Sequence, residues 1–247
     1  MKHLSQLRAW HPDLNIEWLD TVTSTQSKVQ PNSLLVAEHQ SAGMGRRGNQ
    51  WLTPQGQAIC FSYRFELPLA PQQLRGYQVT VALAVIETLK QYDPATAAQI
   101  KWPNDLYFEH CKFAGILINL IPTPHQKTEV VIGVGINWSL SDKTMTTVNQ
   151  PICNIPLKNK PFRHEFISHL INHINHNNMH FVKSGLNLFL SSWGEYDYLS
   201  KKTIKLITTE NTLTGEYMGM SASGELMLLT EQGIKHFSSG EVSVRAI

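Results

Sequence analysis

The chain has 247 residues, of which 42% are hydrophobic and 16% are charged. These fractions are typical of a folded protein and exclude an intrinsically disordered chain. The 21 Lys and Arg residues exceed the 19 Asp and Glu residues by two and are spread along the chain, so a general nucleic-acid surface is not indicated.

Neither a secretion signal nor a membrane segment is predicted. The N-terminal segment lacks an apolar signal region and is interrupted by "HPD" at 11–13, and no segment has the length of an apolar span. Cys60, Cys111 and Cys153 lack C-x-x-C spacing, which is typical of reduced thiols, and Cys60 is expected in the core. We therefore expect a cytoplasmic protein.

The first part of the chain predicts three strands and one short helix. The strands cover residues 15–22, 33–40 and 58–67. The polar segment "TSTQSK" follows the first strand and can begin a helix with Ser24 or Thr25 near its cap.

The middle of the chain predicts a helix and then a group of central strands. From Pro71 onwards apolar residues recur at helical spacing, on a face made of Leu74, Tyr77, Val81, Ala84 and Val85. Three apolar segments rich in Ile and Val follow, at residues 99–102, 113–121 and 129–138. We expect these segments to be neighbouring strands of one sheet.

The C-terminal part predicts two helical segments and then a small β-domain. Helical spacing covers 162–181, with an apolar face made of Phe166, Ile167, Leu170, Ile171 and Ile174, and a shorter piece covers 186–193. After Tyr198, five short segments at hairpin spacing predict strands. The predicted organisation is an α+β domain at 1–197 followed by a small β-barrel at 198–247.

The long helix also carries four histidines on one face, at positions 169, 173, 176 and 180. Histidines four residues apart can bind zinc. No cysteine or paired carboxylate accompanies them, so a solvated polar face is the favoured interpretation.

The segment "GMGRRGNQW", residues 43–51, combines three kinds of ligand-binding residue. Its glycines allow close backbone approach, Arg46 or Arg47 can bind phosphate or carboxylate, and Trp51 offers a flat apolar surface. The segment does not have the G-x-x-x-x-G-K-[ST] sequence of a Walker A phosphate-binding loop. The segment alone is equally consistent with a solvated basic turn.

Three further segments could carry chemistry. In "KWPND", Asn104 and Asp105 present the oxygen ligands that magnesium prefers, although a plain turn is the commoner role. In "KFAGILINL", Lys112 supplies a cation and Gly115 leaves room for a ligand, or the two residues cap an edge and assist packing. In "GVGINW", Asn137 could bond a base or a phosphate.

Together these four segments, in this order and spacing, resemble the signature of the biotin protein ligases. The C-terminal strands also resemble the SH3-like domain of that family, so the resemblance covers about residues 16–247. It implies a catalytic domain of the class II synthetase-like fold shared by biotin and lipoate ligases, with a central mixed β-sheet flanked by helices. It also implies an ATP- and magnesium-dependent enzyme that forms biotinyl-5′-AMP and transfers biotin to a lysine of the biotin carboxyl carrier protein of acetyl-CoA carboxylase.

The resemblance assigns roles residue by residue. Catalytic roles fall on Arg46, Lys112 and Asp105, and Asp105 also falls on the magnesium position. Nucleotide contacts fall on Trp51, Lys101, Asn104 and Asn137. Biotin contacts fall on Ser24, Thr25, Gln26, Gln40, Met44, Gly45, Arg46, Lys112 and Gly115. Residues 43–51 would close over the adenylate and exclude water.

Two residues depart from the family pattern, and several alternatives stay open. Met44 occupies a position that is often basic, and Gln26 replaces a common asparagine; both bear on ligand affinity more than on the reaction. About fifteen residues precede the first predicted strand, too few for a helix-turn-helix domain, so no DNA binding is expected. A lipoate-type ligase and a non-enzymatic biotin sensor are the alternatives, and a homodimer through edge strands is allowed but not required.

Overall fold

A computed structural model describes residues 2–208, 211–240 and 243–246. Its larger sheet has seven strands in the order β1-β2-β3-β7-β6-β5-β4. These are β1 Asn15–Val22, β2 Ser33–Gln40, β3 Ala58–Leu67, β4 Gln99–Lys101, β5 Asp105–Phe108, β6 Cys111–Thr123 and β7 Lys127–Asn137. The β1–β2 pair is parallel and the other pairs are antiparallel, which confirms the predicted mixed sheet.

Six α-helices accompany this sheet in the described part of the chain. They are α1 Lys2–Trp10, α2 Thr25–Lys28, α3 Gln78–Tyr92, α4 Asp142–Met145, α5 Arg163–Ser184 and α6 Leu190–Tyr196. None of the helices within the described ranges is long and apolar enough to cross a membrane.

The main core lies where α3 and α5 pack together against the sheet. The five apolar residues predicted for the long helix, from Phe166 to Ile174, are at most 1% exposed. A buried polar contact ties the two helices, because Asn177 Nδ2 donates to Thr80 O at 3.1 Å. The apolar stripes read from the sequence are therefore the faces that build the core.

A second, five-stranded antiparallel sheet forms the C-terminal part, in the order β11-β10-β9-β8-β12. The strands are β8 Thr203–Ile207, β9 Thr212–Met220, β10 Leu226–Thr230, β11 Gly233–Phe237 and β12 Ser243–Ala246. This sheet fits the predicted SH3-like domain, although no pairing closes β11 onto β12 in the part of the chain that is described. Residues 241 and 242 of the last predicted strand lie outside the described residues. The predicted domain boundary at 197/198 falls in the connection between α6 and β8.

Four elements differ from the sequence prediction, one of them the short helix α4, whose four residues are too few to show a helical period. The helix predicted from Pro71 is a 3-10 turn at Pro71–Leu74 and then α3, because Gly76 takes a φ of 74° that ends helical geometry. The strand β5 was not predicted because its four residues follow the Pro103 turn directly. The helix α1 was also not predicted; its Leu7 is fully buried and the helix packs on α5.

The histidine face of α5 is polar, as predicted. His176 and His180 are exposed, whereas Tyr92 Oη lies 2.6 Å from His169 Nδ1. Among the described residues no group of His, Cys, Asp or Glu side chains could hold a metal ion. Cys60 is buried, and burial raises the pKa of its thiol to about 12, so it stays protonated in the core.

Candidate active site

A cleft of about 790 Å³ lies over the larger sheet. Its walls come from residues 43–51, the β4–β5 turn, residues 148–151 and strand β12. All the predicted site residues except Asn137 line it: Ser24, Thr25, Gln26, Gln40, Met44, Gly45, Arg46, Trp51, Lys101, Asn104, Asp105, Lys112 and Gly115. The volume is in the usual range for a small-molecule site.

The floor of the cleft consists of glycines on two adjacent strands. Gly115 of β6 is paired with Gly135 of β7, and the indole of Trp51 lies on both. A Cβ atom at Gly135 would be 2.3 Å from Trp51 Cε2, and one at Gly115 would be 3.2 Å from Cζ3. The glycines therefore provide the space in which a flat ring can lie on the backbone.

One end of the cleft is lined by hydroxyl and amide groups. Ser24 is the N-cap residue of α2, but its hydroxyl makes no capping bond. Its Oγ is buried and finds no hydrogen-bond partner within the described ranges. By contrast, Gln40 Oε1 accepts bonds from Thr25 N at 2.7 Å and from Thr25 Oγ1 at 3.0 Å. An unpaired buried hydroxyl beside a fixed polar network is suited to binding a polar ligand group.

Two cations face the middle of the cleft. The first is Lys112 of β6, whose Nζ lies 2.7 Å from Asp105 Oδ1 of the neighbouring strand β5. The pairing of these two strands is irregular between Leu106 and Tyr107. Arg46 Nη1 donates to Asn104 Oδ1 at 3.0 Å. Burial lowers the pKa of Arg46 and the charge of Asp105 opposes that shift, but the guanidinium stays protonated.

A third cation, Lys101, lies deeper in the same cleft. It is 8% exposed, and its Nζ is 5.0 Å from the ring centroid of Tyr107. Burial lowers the pKa of Lys101 to about 8, while the charge of Asp105 opposes that shift and Arg245 adds to it. The charge of Lys101 is therefore lost within the weakly alkaline range.

The structure does not place Asn137 on the cleft wall. Its side chain is buried, and its Nδ2 donates to Lys112 O at 3.3 Å and to Cys153 O at 3.0 Å. These bonds fasten the segment that contains Cys153 to the strand that carries Lys112. The Asn137 amide thus supports the strand that carries Lys112, and its nucleotide contact remains a prediction.

Met44 contributes backbone rather than side chain. It forms an isolated bridge with Gln50, and its side chain is 45% exposed. Within the same loop, Trp51 N donates to Gly43 O at 2.9 Å. These contacts shape the loop, and the contact of Met44 with biotin remains a prediction.

Several cleft residues received no site role in the residue-by-residue assignment, although Arg47 was named as a candidate for binding phosphate or carboxylate. They are Arg47, Asn49, Gln50, Cys60, Phe61, Ser62, Trp102, Pro103, Tyr107, Ile116, Leu117, Gly133, Val134, Gly135, Val148, Asn149, Gln150, Pro151, Val244 and Arg245. The motifs that point to Gly133 and Gly135 were visible as "GVGINW", but nothing local in "SVRA" marks Arg245. Its position depends on how the C-terminal sheet packs on the cleft.

Magnesium fits this cleft only together with a phosphate ligand. Asp105 offers a carboxylate, a ligand that magnesium accepts, but no described cluster of acidic and histidine residues could hold an ion alone. Magnesium commonly binds through one or two carboxylates plus the phosphates of a substrate. Asp105 is thus suited to hold magnesium that arrives with ATP.

The chain matches two models of known families. Residues 17–137 match the model described as "Biotin/lipoate A/B protein ligase family", and residues 200–245 match "Biotin protein ligase C terminal domain".

Individual proteins agree with these matches. The bifunctional ligase/repressor BirA of Escherichia coli is 31% identical over 85% of this chain and 66% of its own length. The biotin protein ligase of Aquifex aeolicus, solved with biotin and ATP, is 27% identical, with a TM-score of 0.78 over 94% of this chain and 99% of its own. Biotin–[acetyl-CoA-carboxylase] ligase of Paracoccus denitrificans is 31% identical over 48% of this chain and 51% of its own.

Proposed function

Because the chain belongs to the biotin/lipoate A/B protein ligase family, we propose that it is an ATP-dependent biotin protein ligase. It activates biotin as biotinyl-5′-AMP and transfers the biotinyl group to a lysine of a biotin carboxyl carrier protein. The observation that carries this proposal is one cleft in which an unpaired Ser24 hydroxyl, a glycine floor and the cations of Arg46 and Lys112 come together.

In the first step a biotin carboxylate oxygen attacks the α-phosphorus of ATP. The bond from that phosphorus to the bridging oxygen of the β-phosphate breaks, and pyrophosphate leaves. Negative charge builds on the oxygens at the carboxyl–phosphate junction, which Arg46 and Lys112 stabilise from fixed positions. Lys112 is held by Asp105 at 2.7 Å and Arg46 by Asn104 at 3.0 Å, so little reorganisation is needed.

In the second step the ε-amine of the carrier lysine attacks the acyl carbon of the adenylate. An amide bond forms, the amine loses a proton and AMP leaves. Residues 43–51, which carry Arg46 and Trp51, cover the cleft and exclude water that would hydrolyse the intermediate. Magnesium supplies charge neutralisation on the phosphates when it is bound, and Asp105 is the residue that would hold it.

The polar end of the cleft suits the ureido ring of biotin. That ring has two N–H donors and one carbonyl acceptor, and the Ser24 hydroxyl can donate or accept. Thr25 and Gln40 lie beside it in a fixed network. The indole of Trp51, which lies on the glycine floor, then offers a flat apolar surface to the apolar part of the ligand or to the adenine ring.

The test is transfer of labelled biotin to a purified carrier domain with ATP and magnesium. We expect transfer by the native chain and losses of roughly 100-fold or more in Arg46→Ala and Lys112→Ala, the size seen when a charge-stabilising group is removed. Lys127→Ala is the matched control, since Lys127 is the first residue of β7 and pairs with Glu66 of β3 outside the cleft. Binding of biotin without any modification of the carrier would refute the ligase activity and favour a biotin sensor.

The same assay decides the ligand. Lipoate is offered in place of biotin, and adenylate formation driven by lipoate instead would overturn the choice of biotin. A cytoplasmic location and the absence of operator binding remain predictions, and a homodimer through edge strands remains an open alternative. Fluorescence polarisation on operator DNA and analytical ultracentrifugation test the last two.

A further inference from the structure

The side chain of Gln26 spans the polar end of the cleft. From α2 its Nε2 donates to Asn119 Oδ1 at 2.8 Å and to Val131 O at 3.0 Å. Its Oε1 accepts a bond from Ser62 Oγ at 2.9 Å. Both amide hydrogens and the carbonyl oxygen are thus engaged, which fixes the side chain in one orientation.

The Gln26 amide lies directly on the backbone of β7. A Cβ atom at Gly133 would be 2.4 Å from Gln26 Oε1, closer than any real contact of that kind. Gly133 therefore gives the space that the amide fills. At this end the Gln26 amide bounds the cleft together with Gly133 and Leu117 of the sheet.

The part of this boundary that Gln26 forms lies close to solvent. Asn119, which holds the Gln26 amide from one side, is exposed to solvent, and Gln26 itself is half-buried. The cleft-facing side of Gln26 lies beside Ser24 and Thr25, its neighbours in the chain, which also line the cleft. Removal of the amide would thus connect the polar end of the cleft with bulk solvent.

We propose that Gln26 is a specificity-determining residue that sets the depth of the ligand subsite. It closes the subsite behind the polar ring of the acyl ligand and excludes ligands with extra atoms on that ring. This inference rests on the proposed function, because it takes biotin as the natural ligand. An asparagine here is one methylene shorter and cannot keep the bonds to both Asn119 and Val131.

The experiment measures ATP–pyrophosphate exchange with biotin and with biotin derivatives that carry a methyl or propyl group on a ureido nitrogen. The quantity compared is the ratio of kcat/KM for each derivative to kcat/KM for biotin. We expect Gln26→Ala to raise this ratio at least about tenfold, since fit within a pocket discriminates by roughly 10- to 200-fold per small group. Asn119→Ala should raise it less, because the amide remains but loses one anchor.

Gln30→Ala is the matched control. Gln30 is an exposed residue outside the cleft, and its Nε2 donates to Lys28 O. The ratio of kcat/KM for each derivative to kcat/KM for biotin should therefore be the same in Gln30→Ala as in the native chain. If Gln26→Ala and Asn119→Ala both activate biotin but leave the ratio within twofold, the depth role of Gln26 is wrong while the ligase function stands. If the native chain does not support exchange with biotin at all, the proposed function fails and this inference with it.

Discussion

Replacing Ser24 with alanine should raise stability while it weakens ligand binding. The Ser24 hydroxyl is buried and unpaired among the described residues, and an unsatisfied buried polar group costs about 1–3 kcal/mol. Alanine removes that cost and loses a few packing contacts, so we expect the free energy of unfolding to rise by about 1 kcal/mol. If the hydroxyl bonds biotin, its loss removes about 0.5–1.5 kcal/mol of binding free energy, which is roughly a 2- to 13-fold weaker Kd.

Urea denaturation of the ligand-free chain and calorimetric titration with biotin measure the two quantities. Thr25→Val is the matched control, because Thr25 Oγ1 bonds Gln40 Oε1 at 3.0 Å and lies 2.9 Å from Ser62 Oγ. That variant should lose about 1–3 kcal/mol of unfolding free energy with its two bonds. The reasoning is refuted if Ser24→Ala loses more than about 1 kcal/mol of stability and keeps its biotin affinity within twofold.

Three other predictions concern two residues of the cleft and one buried carboxylate outside it. Because the pKa of Lys101 is lowered to about 8, Lys101 loses its charge and the KM for ATP should rise as the pH increases through 8. Lys101→Arg stays charged and should flatten this dependence of KM on pH. Equal pH profiles for the native chain and the variant would contradict a role of the Lys101 charge in ATP binding. Arg245→Gln should raise the KM for ATP without changing the Kd for biotin, and an unchanged KM would remove Arg245 from the nucleotide site. Asp197 Oδ2 accepts hydrogen bonds from Trp193 Nε1 at 3.1 Å and from Tyr217 Oη at 2.7 Å. Asp197→Asn should therefore lower the free energy of unfolding, measured by urea denaturation, by about 1–3 kcal/mol. The control Asp142→Asn, at an exposed position, should leave it unchanged.

The fold was largely predictable where one periodicity dominated a segment. The apolar faces of α3 and α5 and the strands β2, β3 and β7 follow from spacing alone. Two short elements did not, because β5 and α4 have four residues each, too few to establish a period. The helix α1 shows the same limit: its nine residues are stabilised by packing Leu7 against the core, which no local pattern reveals.

The site was predictable where several motifs converge. Each of the four segments allowed a structural reading alone, but their joint order predicted one cleft, and the structure brings them together. Asn137 lies two residues after Gly135, on the same face of β7 as the glycine floor. Its Nδ2 is engaged by Lys112 O and Cys153 O, which the sequence could not show, and its nucleotide contact remains a prediction. Arg245 could not be predicted, because its position depends on packing between distant parts of the chain.

The C-terminal sheet is a wall of the active site and more than an appended domain. Arg46 donates to Ser239 O on that sheet's side of the cleft as well as to Asn104. Trp102 Nε1, next to Lys101, donates to Gly224 O at 3.1 Å. Both partners of Arg46 must keep their positions for the guanidinium to face the carboxyl–phosphate junction. A shift of the C-terminal sheet would therefore change the charge presented to the ligand without altering any residue of the glycine floor.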